Sequence, residues 1–438
     1  MLQLRSRKAG CHVAVPVILL VARFRPVAAL GSDARVGVLW DTAAWIADEA
    51  SSPSAFDAEH RTTSYISPPI RLDPGRVVLT PPKQTPLQMP PQPFALTSLR
   101  MEVVRHPGGE PVPLTEVYNH HVVFYGGGGR AAADVCGGAH LDMLDGLVGV
   151  GAEARGTTVE LPEGFAFGGK GPWLANIHLI RSEGVPSVKS CIECACHGHG
   201  GSEDCCPHLS VCPGFPDGPA TRNASDVKDY ALRYVVGWSP ATERYRIAEY
   251  RTFDATGCQL EFQVPAQCPW MYRHDGPHGR LPGARGLRGS GRELPSDFEA
   301  AVRPPPRRCV ARLSWDYDLP DGAEGEVLFG KGHVHVGGLN ISAHLLRRAG
   351  GPPELLCVSS AKYGRSDARP PAAGDERGYV VGMSTCLFSN ATQRPLVRKG
   401  DRIRVDVAYR TDLWFNGVMG LLDLAFAPLV LGQDEYNV

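Results

Sequence analysis

Five histidines and one methionine are the residues of this 438-residue chain whose types and spacing could do chemistry. They form four groups in chain order, which are His120-His121, His178, His333-Val334-His335 and Met419. A neutral imidazole binds copper in both of its common oxidation states, and the soft sulfur of methionine favours Cu(I). The set therefore indicates copper and redox chemistry.

The two histidine pairs differ in how easily each could share one metal ion. Alternate residues of a strand point to the same face, so His333 and His335 can close on one ion. His120 and His121 are adjacent and would point to opposite faces, so they can share an ion only at a bulge or at a strand end. The spacing alone therefore favours the His333 and His335 pair.

Each group also has a simpler explanation when it is taken singly. His120 and His121 alone are more typical of one buried and one exposed histidine. His333 and His335 could be a solvent-facing pair on an alternating strand. His178 lies in an apolar run and alone is typical of a core histidine, and Met419 alone is typical of core packing.

The elements that must position these residues are strands. The chain has 50 glycines and 38 prolines, few long stretches of helical period, and many short runs rich in Val, Ile, Leu, Tyr and Phe. These features predict an all-β protein. The candidate ligands lie in predicted strands at 117–125, 173–180, 331–336 and 417–426, and residues 402–409 alternate between apolar and polar faces. The predicted helices are short and few, for example at 42–49 and 296–302.

The length exceeds that of a usual single domain and predicts two domains with connecting segments. A segment rich in Gly, Pro and Arg is the best boundary between them. The predicted division is a signal peptide at 1–30, an N-terminal extension with a Pro-rich segment at 31–98, a first β-domain with a Cys-rich loop at 99–274, a linker at 275–308, a second β-domain at 309–430, and a tail at 431–438.

The N-terminus predicts secretion. Basic residues at positions 5, 7 and 8 precede an apolar stretch at 13–22 and small residues at 27–29, an order typical of a signal peptide. An uncleaved anchor is the alternative. Three tripeptides of the N-glycosylation type, which begin at Asn223, Asn340 and Asn390, agree with an extracellular glycoprotein.

The cysteines also agree with an oxidising compartment. Thirteen are present, and Cys11 lies in the predicted leader, so an even number remains for disulfides. Nine precede the linker and three follow it, so either a bridge joins the two sides, or free thiols remain, or pairing is intermolecular. Cys357 with Cys386 is the favoured pair, which leaves Cys309 to reach back. The cluster from Cys191 to Cys212 resembles a zinc knuckle, but a disulfide-stapled loop suits secretion better.

The charge balance bears on partners. Lys and Arg number 45 against 46 Asp and Glu, which gives no electrostatic reason to expect nucleic acid or an anionic membrane. No stable membrane association is expected after leader removal, because no later apolar run reaches about 18 residues. A small-molecule or peptide substrate, of unknown identity, is the expected partner.

The order of the candidate ligands resembles that of a known enzyme family. His-His, a lone His, His-x-His followed by Gly, and Met resemble the copper type II, ascorbate-dependent monooxygenases, such as peptidylglycine α-hydroxylating monooxygenase. Residues 65–428 also resemble the stress up-regulated nodulin family, through segments that include VPLTEVYNHH at 112–121, GAEARG at 151–156, WLANIH at 173–178, GHVHVGG at 332–338 and GVMG at 417–420.

The resemblance to the monooxygenases implies a fold, two metal sites and a reaction. The fold would be two jelly-roll-like β-sandwiches, with two copper ions and ascorbate as the reductant for hydroxylation of a C–H bond. The implied ligands are His120, His121 and His178 for one copper, and His333, His335 and Met419 for the catalytic copper. The alternative is a non-catalytic extracellular stress-response or structural protein that keeps the fold.

Overall fold

Strands make up nearly all of the regular structure. The computed structural model describes residues 45–81, 85–126, 148–185, 188–192, 212, 226–268, 305, 307–319, 324–368 and 370–429. These residues form four sheets, with one five-residue helix, α1 (Val188–Ile192), and a few 3-10 turns. The prediction of an all-β protein is therefore confirmed.

The first two sheets, which we call the N-terminal half, are built from thirteen strands. These are β1 (Ile46–Ser51), β2 (Arg61–Ile66), β3 (Ile70–Leu72), β4 (Val77–Leu79), β5 (Thr85–Pro86), β6 (Phe94–Arg105), β7 (Val117–Tyr125), β8 (Val148–Val150), β9 (Val159–Glu160), β10 (Phe165–Gly169), β11 (Leu174–Arg181), β12 (Lys228–Ser239) and β13 (Arg246–Ile247). One sheet has the order β1-β2-β12-β6-β10-β13, with β3 on β12 and β9 on β6. The other has the order β4-β11-β7-β8, with β5 on β11.

The other two sheets form the C-terminal half. Its strands are β14 (Glu249–Asp254), β15 (Glu261–Val264), β16 (Val310–Asp318), β17 (Gly325–Val334), β18 (Gly338–Leu346), β19 (Glu354–Tyr363), β20 (Val380–Met383), β21 (Thr385–Leu387), β22 (Leu396–Val397), β23 (Arg402–Arg410) and β24 (Phe415–Pro428). One sheet has the order β14-β24-β17-β21, with β15 on β24 and β22 on β17. The other has the order β16-β23-β18-β19-β20.

Each half buries its own apolar core between its two sheets. Phe124 and Ile177 from one sheet meet Leu232 and Tyr234 from the other in the N-terminal half. Strand β23 in the C-terminal half shows the predicted alternation, and its apolar face, from Ile403 to Tyr409, is buried. Burial of one face in this way fixes the register of the strand.

Of three local predictions, one is wrong and two lie outside the described residues. The predicted helix at 42–49 is wrong, because residues from Ile46 onward form β1 and pair with β2 over six positions. Backbone pairing to a neighbouring strand outweighs a weak helical pattern. The predicted helix at 296–302 and the tripeptide at Asn223 lie outside the described residues.

The two halves are connected by more than one chain crossing. Strands β14 and β15 precede the proposed linker, yet both pair with β24 near the end of the chain. Cys268 and Cys309 form a disulfide across the same segment, with 5.7 Å between their Cα atoms. The predicted bridge from Cys309 back across the linker is therefore confirmed.

Two further disulfides join pairs of cysteines that both lie in the described residues. Cys357 pairs with Cys386, as predicted, and Cys191 pairs with Cys212. Disulfides of this number indicate passage through the secretory pathway. In the described parts of the chain, no helix has the length and apolar character needed to cross a membrane.

The halves meet through a buried contact that positions the candidate site. Leu328 and Phe329 of β17 pack into the core of the N-terminal half. The 3-10 turn Ala152–Gly156 lies against β20, where the backbone N–H of Met383 donates to the Thr157 hydroxyl at 2.8 Å. The strand that carries His333 is therefore docked directly on the other half.

Candidate metal centre

A β-bulge brings the adjacent histidines to one place. Strands β7 and β11 pair His121 with His178, and the next pair is Asn119 with Leu179, so His120 is the extra residue. A bulge of this kind re-aims the side chain of the unpaired residue. The local irregularity that the sequence requires for His120 and His121 to share an ion is therefore present.

His120, His121 and His178 form a compact group. One potential ligand nitrogen from each of them lies within 4.8 Å of the others, and all three side chains are buried. The Nδ1 atoms of His120 and His121 are 3.3 Å apart. Two nitrogens bound to one metal ion at about 2 Å would be separated by roughly that distance. The group could therefore hold a metal ion.

Burial keeps these imidazoles neutral. It lowers the pKa of His121 to about 4, and it lowers the pKa of His120 and His178 well below the usual range, with further contributions from the neighbouring histidines. A metal ion binds the unprotonated ring. The lone pairs are therefore ready for a ligand at neutral pH.

An amide orients one of the three rings. The Nε2 atom of His121 lies 2.6 Å from the Oδ1 of Asn176, and the Nδ2 of Asn176 donates to the backbone carbonyl of Thr80. The amide oxygen must accept, so Nε2 carries the proton and Nδ1 faces His120. Sequence reasoning did not assign Asn176 a role, although a buried amide two residues before a histidine is a usable signal.

The histidines of the His-x-His segment lie in different environments. Their ring centroids are 5.2 Å apart, which agrees with side chains on a common face, although β17 ends at Val334 and His335 follows it. The Nδ1 of His333 is 3.0 Å from a carboxylate oxygen of Glu153, a fully buried residue on the 3-10 turn of the N-terminal half. Burial alone would raise the pKa of Glu153, but the charge and hydrogen bond of His333, together with Lys331, lower it to about 2.

His335 turns toward the three-histidine group. Its ring centroid is 5.0 Å from that of His120, with the two planes nearly perpendicular. It is 2% exposed, and its ring faces the Gly417 backbone and hydrogen-bonds to no described side chain. Burial and the neighbouring His333 lower its pKa to about 3. The structure therefore brings one of the two predicted ligand sets against the other.

Met419 and His335 are connected through a tyrosine. The pairs between β17 and β24 end with His333 opposite Leu421 and Val334 opposite Gly420, so His335 and Met419 each lie one residue beyond the last pair. The Tyr409 hydroxyl bridges these two residues, because it accepts from the backbone N–H of His335 at 2.9 Å and donates to the Met419 carbonyl at 2.7 Å. Tyr409 was not identified as part of the site from the sequence.

The comparisons with known proteins identify one part of the chain. Residues 307–428 match the family model described as Stress up-regulated Nod 19. These residues are a Nod 19 domain. The resemblance to this family is therefore confirmed for that part. His333, His335 and Met419 lie inside the Nod 19 domain, whereas the three-histidine group and Glu153 lie before it.

The other comparisons with known proteins identify no further family. No curated protein matches the chain. The VP2 subviral particle of infectious bursal disease virus aligns at 11% identity over 86% of this chain and 74% of that chain, with a TM-score of 0.18. Vicilin from Solanum lycopersicum (tomato) aligns at 10% identity over 85% and 76%, with a TM-score of 0.12. Both scores are too low to support an argument about the fold.

A buried ion pair anchors the Nod 19 domain beside the histidines. Lys331, two residues before His333, is fully buried, and its Nζ lies 2.6 Å from Asp423 and donates to the Gly149 carbonyl of β8 at 2.6 Å. Asp423 also accepts from the hydroxyls of Tyr250 and Thr252. The end of β17, which carries His333 and leads directly to His335, is thereby fixed to the N-terminal half.

Proposed function

We propose that this protein binds a copper ion at His120, His121 and His178 outside the cell. The observation that supports the proposal is the convergence of three buried ligand nitrogens, with two Nδ1 atoms 3.3 Å apart. Imidazole suits copper and zinc, and copper stands highest among the divalent first-row metals for a site of nitrogen ligands. Disulfides support the extracellular location.

The residues of the chain prepare this site before any ion arrives. The bulge aims His120, Asn176 holds the ring of His121, and burial keeps all three imidazoles neutral. Copper would supply one-electron redox chemistry there. Burial of all three rings favours a protein that holds the ion, or passes an electron, over one that acts on a substrate at this position.

A metal titration tests the proposal. The secreted protein would be stripped of metal and titrated separately with Cu(I), Cu(II) and Zn(II), with competition from a coloured chelator to measure affinity. We expect copper to bind more tightly than zinc and His178→Ala to lose the site. His344→Ala is the matched control, because His344 lies on β18 and its ring faces Asp406. Failure to retain copper, or a preference for zinc, would contradict the proposal.

A second candidate function is an ascorbate-dependent copper hydroxylase with two jelly-roll-like sandwiches. Two observations support it: the ring centroids of His333 and His335 are 5.2 Å apart, and the Tyr409 hydroxyl joins the backbone N–H of His335 to the carbonyl of Met419. In this case His333, His335 and Met419 would hold a second, catalytic copper, and a small molecule or peptide would be the substrate. Two copper ions per chain and oxygen uptake that depends on ascorbate would support it. A single ion, with no such uptake, would exclude it.

A further inference from the structure

The two histidines of His333-Val334-His335 differ in what their ring nitrogens contact. The Nδ1 of His333 is taken by the Glu153 carboxylate. The ring of His335 faces the Gly417 backbone and hydrogen-bonds to no described side chain, so at least one of its two nitrogens lacks a partner, although the side chain is only 2% exposed. A buried polar atom without a partner is costly, and such atoms often mark a place where a ligand or ion binds.

The ring of His335 lies against the three-histidine group. Its centroid is 5.0 Å from that of His120, and His120 in turn stacks on His178 at 4.3 Å. The same ring of His120 therefore contacts an imidazole from each half of the molecule. Four buried imidazoles lie side by side here: three from strands of the N-terminal half, whose ligand nitrogens are within 4.8 Å of one another, and His335, which follows the last residue of β17.

We propose that His335 is the fourth ligand of the centre formed by His120, His121 and His178, so that one metal ion joins the two halves. This inference rests on the proposed function, because it names a further ligand of the same site. Four protein ligands that surround an ion are typical of a closed site that holds the metal, whereas a catalytic site keeps a position open.

The fold holds His335 ready for this role. The Tyr409 hydroxyl binds the backbone N–H of His335, and Gly337 turns the chain immediately afterwards with a φ of 92°. A Cβ atom on Gly337 would also meet the ring of Phe415, so only glycine fits. Lys331 fixes the same strand to Gly149 of the other half. The fourth ligand is therefore positioned by the docked arrangement of the halves.

Metal binding should then stabilise that docked arrangement. An ion that binds the complete four-imidazole set, but binds the separated halves more weakly, stabilises the form with the halves together. The midpoint of thermal unfolding should rise on copper addition, and most of that rise should depend on His335.

Paired variants of the full-length protein test the inference. His335→Gln removes the proposed ligand, and His333→Gln is the matched control on the same strand, in which the amide can still donate to Glu153. We expect one Cu(I) per chain in the wild type. We expect His335→Gln to weaken Cu(I) binding at least ~10-fold, because loss of a residue that only orients a metal ligand already weakens binding by about that much. We expect His333→Gln to weaken Cu(I) binding much less. The copper-induced rise in the unfolding midpoint should shrink only in His335→Gln.

Other results would overturn the inference in distinguishable ways. One ion that binds equally well to both variants would leave the proposed function standing without His335 as a ligand. Two ions in the wild type, one of them lost in each variant, would favour the hydroxylase arrangement instead. If no copper binds, the proposed function fails together with the inference. Should His335→Gln not fold, X-ray absorption on the wild type decides, since three imidazoles rather than four would exclude His335.

Discussion

The two histidine groups are set up in opposite ways. His120 and His121 are neighbours in sequence whose side chains should diverge, yet a bulge directs both toward His178 within one sheet. His333 and His335 have the spacing that suits a shared ion, and they do share a face. Nevertheless, His333 binds Glu153, and His335 turns to the other group.

This difference shows that the spacing of residues within a strand limits which side chains can contact one another. The neighbouring strands and turns then determine which of those contacts form. The group in the N-terminal half is assembled by its own strand pairing. The two histidines of the C-terminal group have different partners because β17 packs on the other half. There His333 contacts a carboxylate, and His335 contacts the three-histidine group.

The largest expected effect concerns the anchor of the C-terminal group. Lys331→Met should lower the free energy of unfolding by about 3–5 kcal/mol, because it leaves the Asp423 carboxylate buried without its cation. Arg61→Met is the control, since Arg61 pairs with Glu49 on the surface and should cost less than about 1 kcal/mol. Urea unfolding of the metal-free proteins measures both. Equal losses would show that the buried pair does not anchor the strand.

The second-largest expected effect is the removal of a ligand from the N-terminal group. His178→Ala is expected to weaken Cu(I) binding by at least ~100-fold, since loss of a ligand should cost no less than loss of a residue that orients one. Chelator competition measures the affinity, and circular dichroism checks the fold. If His178→Ala still binds copper, the ion must be held by the C-terminal group instead.

The residues that orient the two groups should have unequal effects. Asn176→Ala frees the ring of His121 and should weaken copper binding by ~10–100-fold. Glu153→Gln should have a smaller effect on affinity, because its partner His333 is not a ligand in the four-imidazole centre. The same competition assay compares them. A larger loss in Glu153→Gln would indicate that His333 binds the ion.

The smallest expected effect is a pH dependence at the turn that carries Glu153. Partial burial would raise the pKa of Glu102, but hydrogen bonds from Arg155 and Arg233 outweigh it and lower the pKa. A lowered pKa in the folded state means that the ionised group stabilises the fold at neutral pH and that this contribution is lost as the pH falls through that value.

Glu102→Gln should therefore reduce stability at pH 7 by about 1 kcal/mol, since partial exposure screens the pairs. Urea unfolding of both proteins should converge as the solution is acidified. A gap between wild type and variant that stays constant with pH would show that the charge of Glu102 is not the cause.

Much of the local structure could be predicted from the sequence. The strand predicted at 117–125 has the same bounds as β7, and the alternation at 402–409 correctly gives the buried face of β23. The Cys357–Cys386 pair and the return of Cys309 across the linker could be predicted because an odd number of cysteines lies on each side of the linker, but Cys268 could not be named as the partner of Cys309. These features depend on period and counting, which are local or arithmetic properties of a sequence.

The partners of the histidines could not be predicted in this way. Glu153 and His333 are separated by 180 positions, and they meet only because β17 docks on the N-terminal half. Tyr409 bridges two strands through backbone atoms, which leave no mark in the sequence. The pairing of β14 and β15 with β24 likewise depends on a tertiary arrangement that crosses the predicted linker.

X-ray absorption at the copper edge, combined with copper counting, tests the central claim most directly. We predict one copper per chain, surrounded only by imidazole nitrogens at about 2 Å. A sulfur ligand would identify Met419 as part of the site, and with two copper ions per chain it would contradict a single buried imidazole centre.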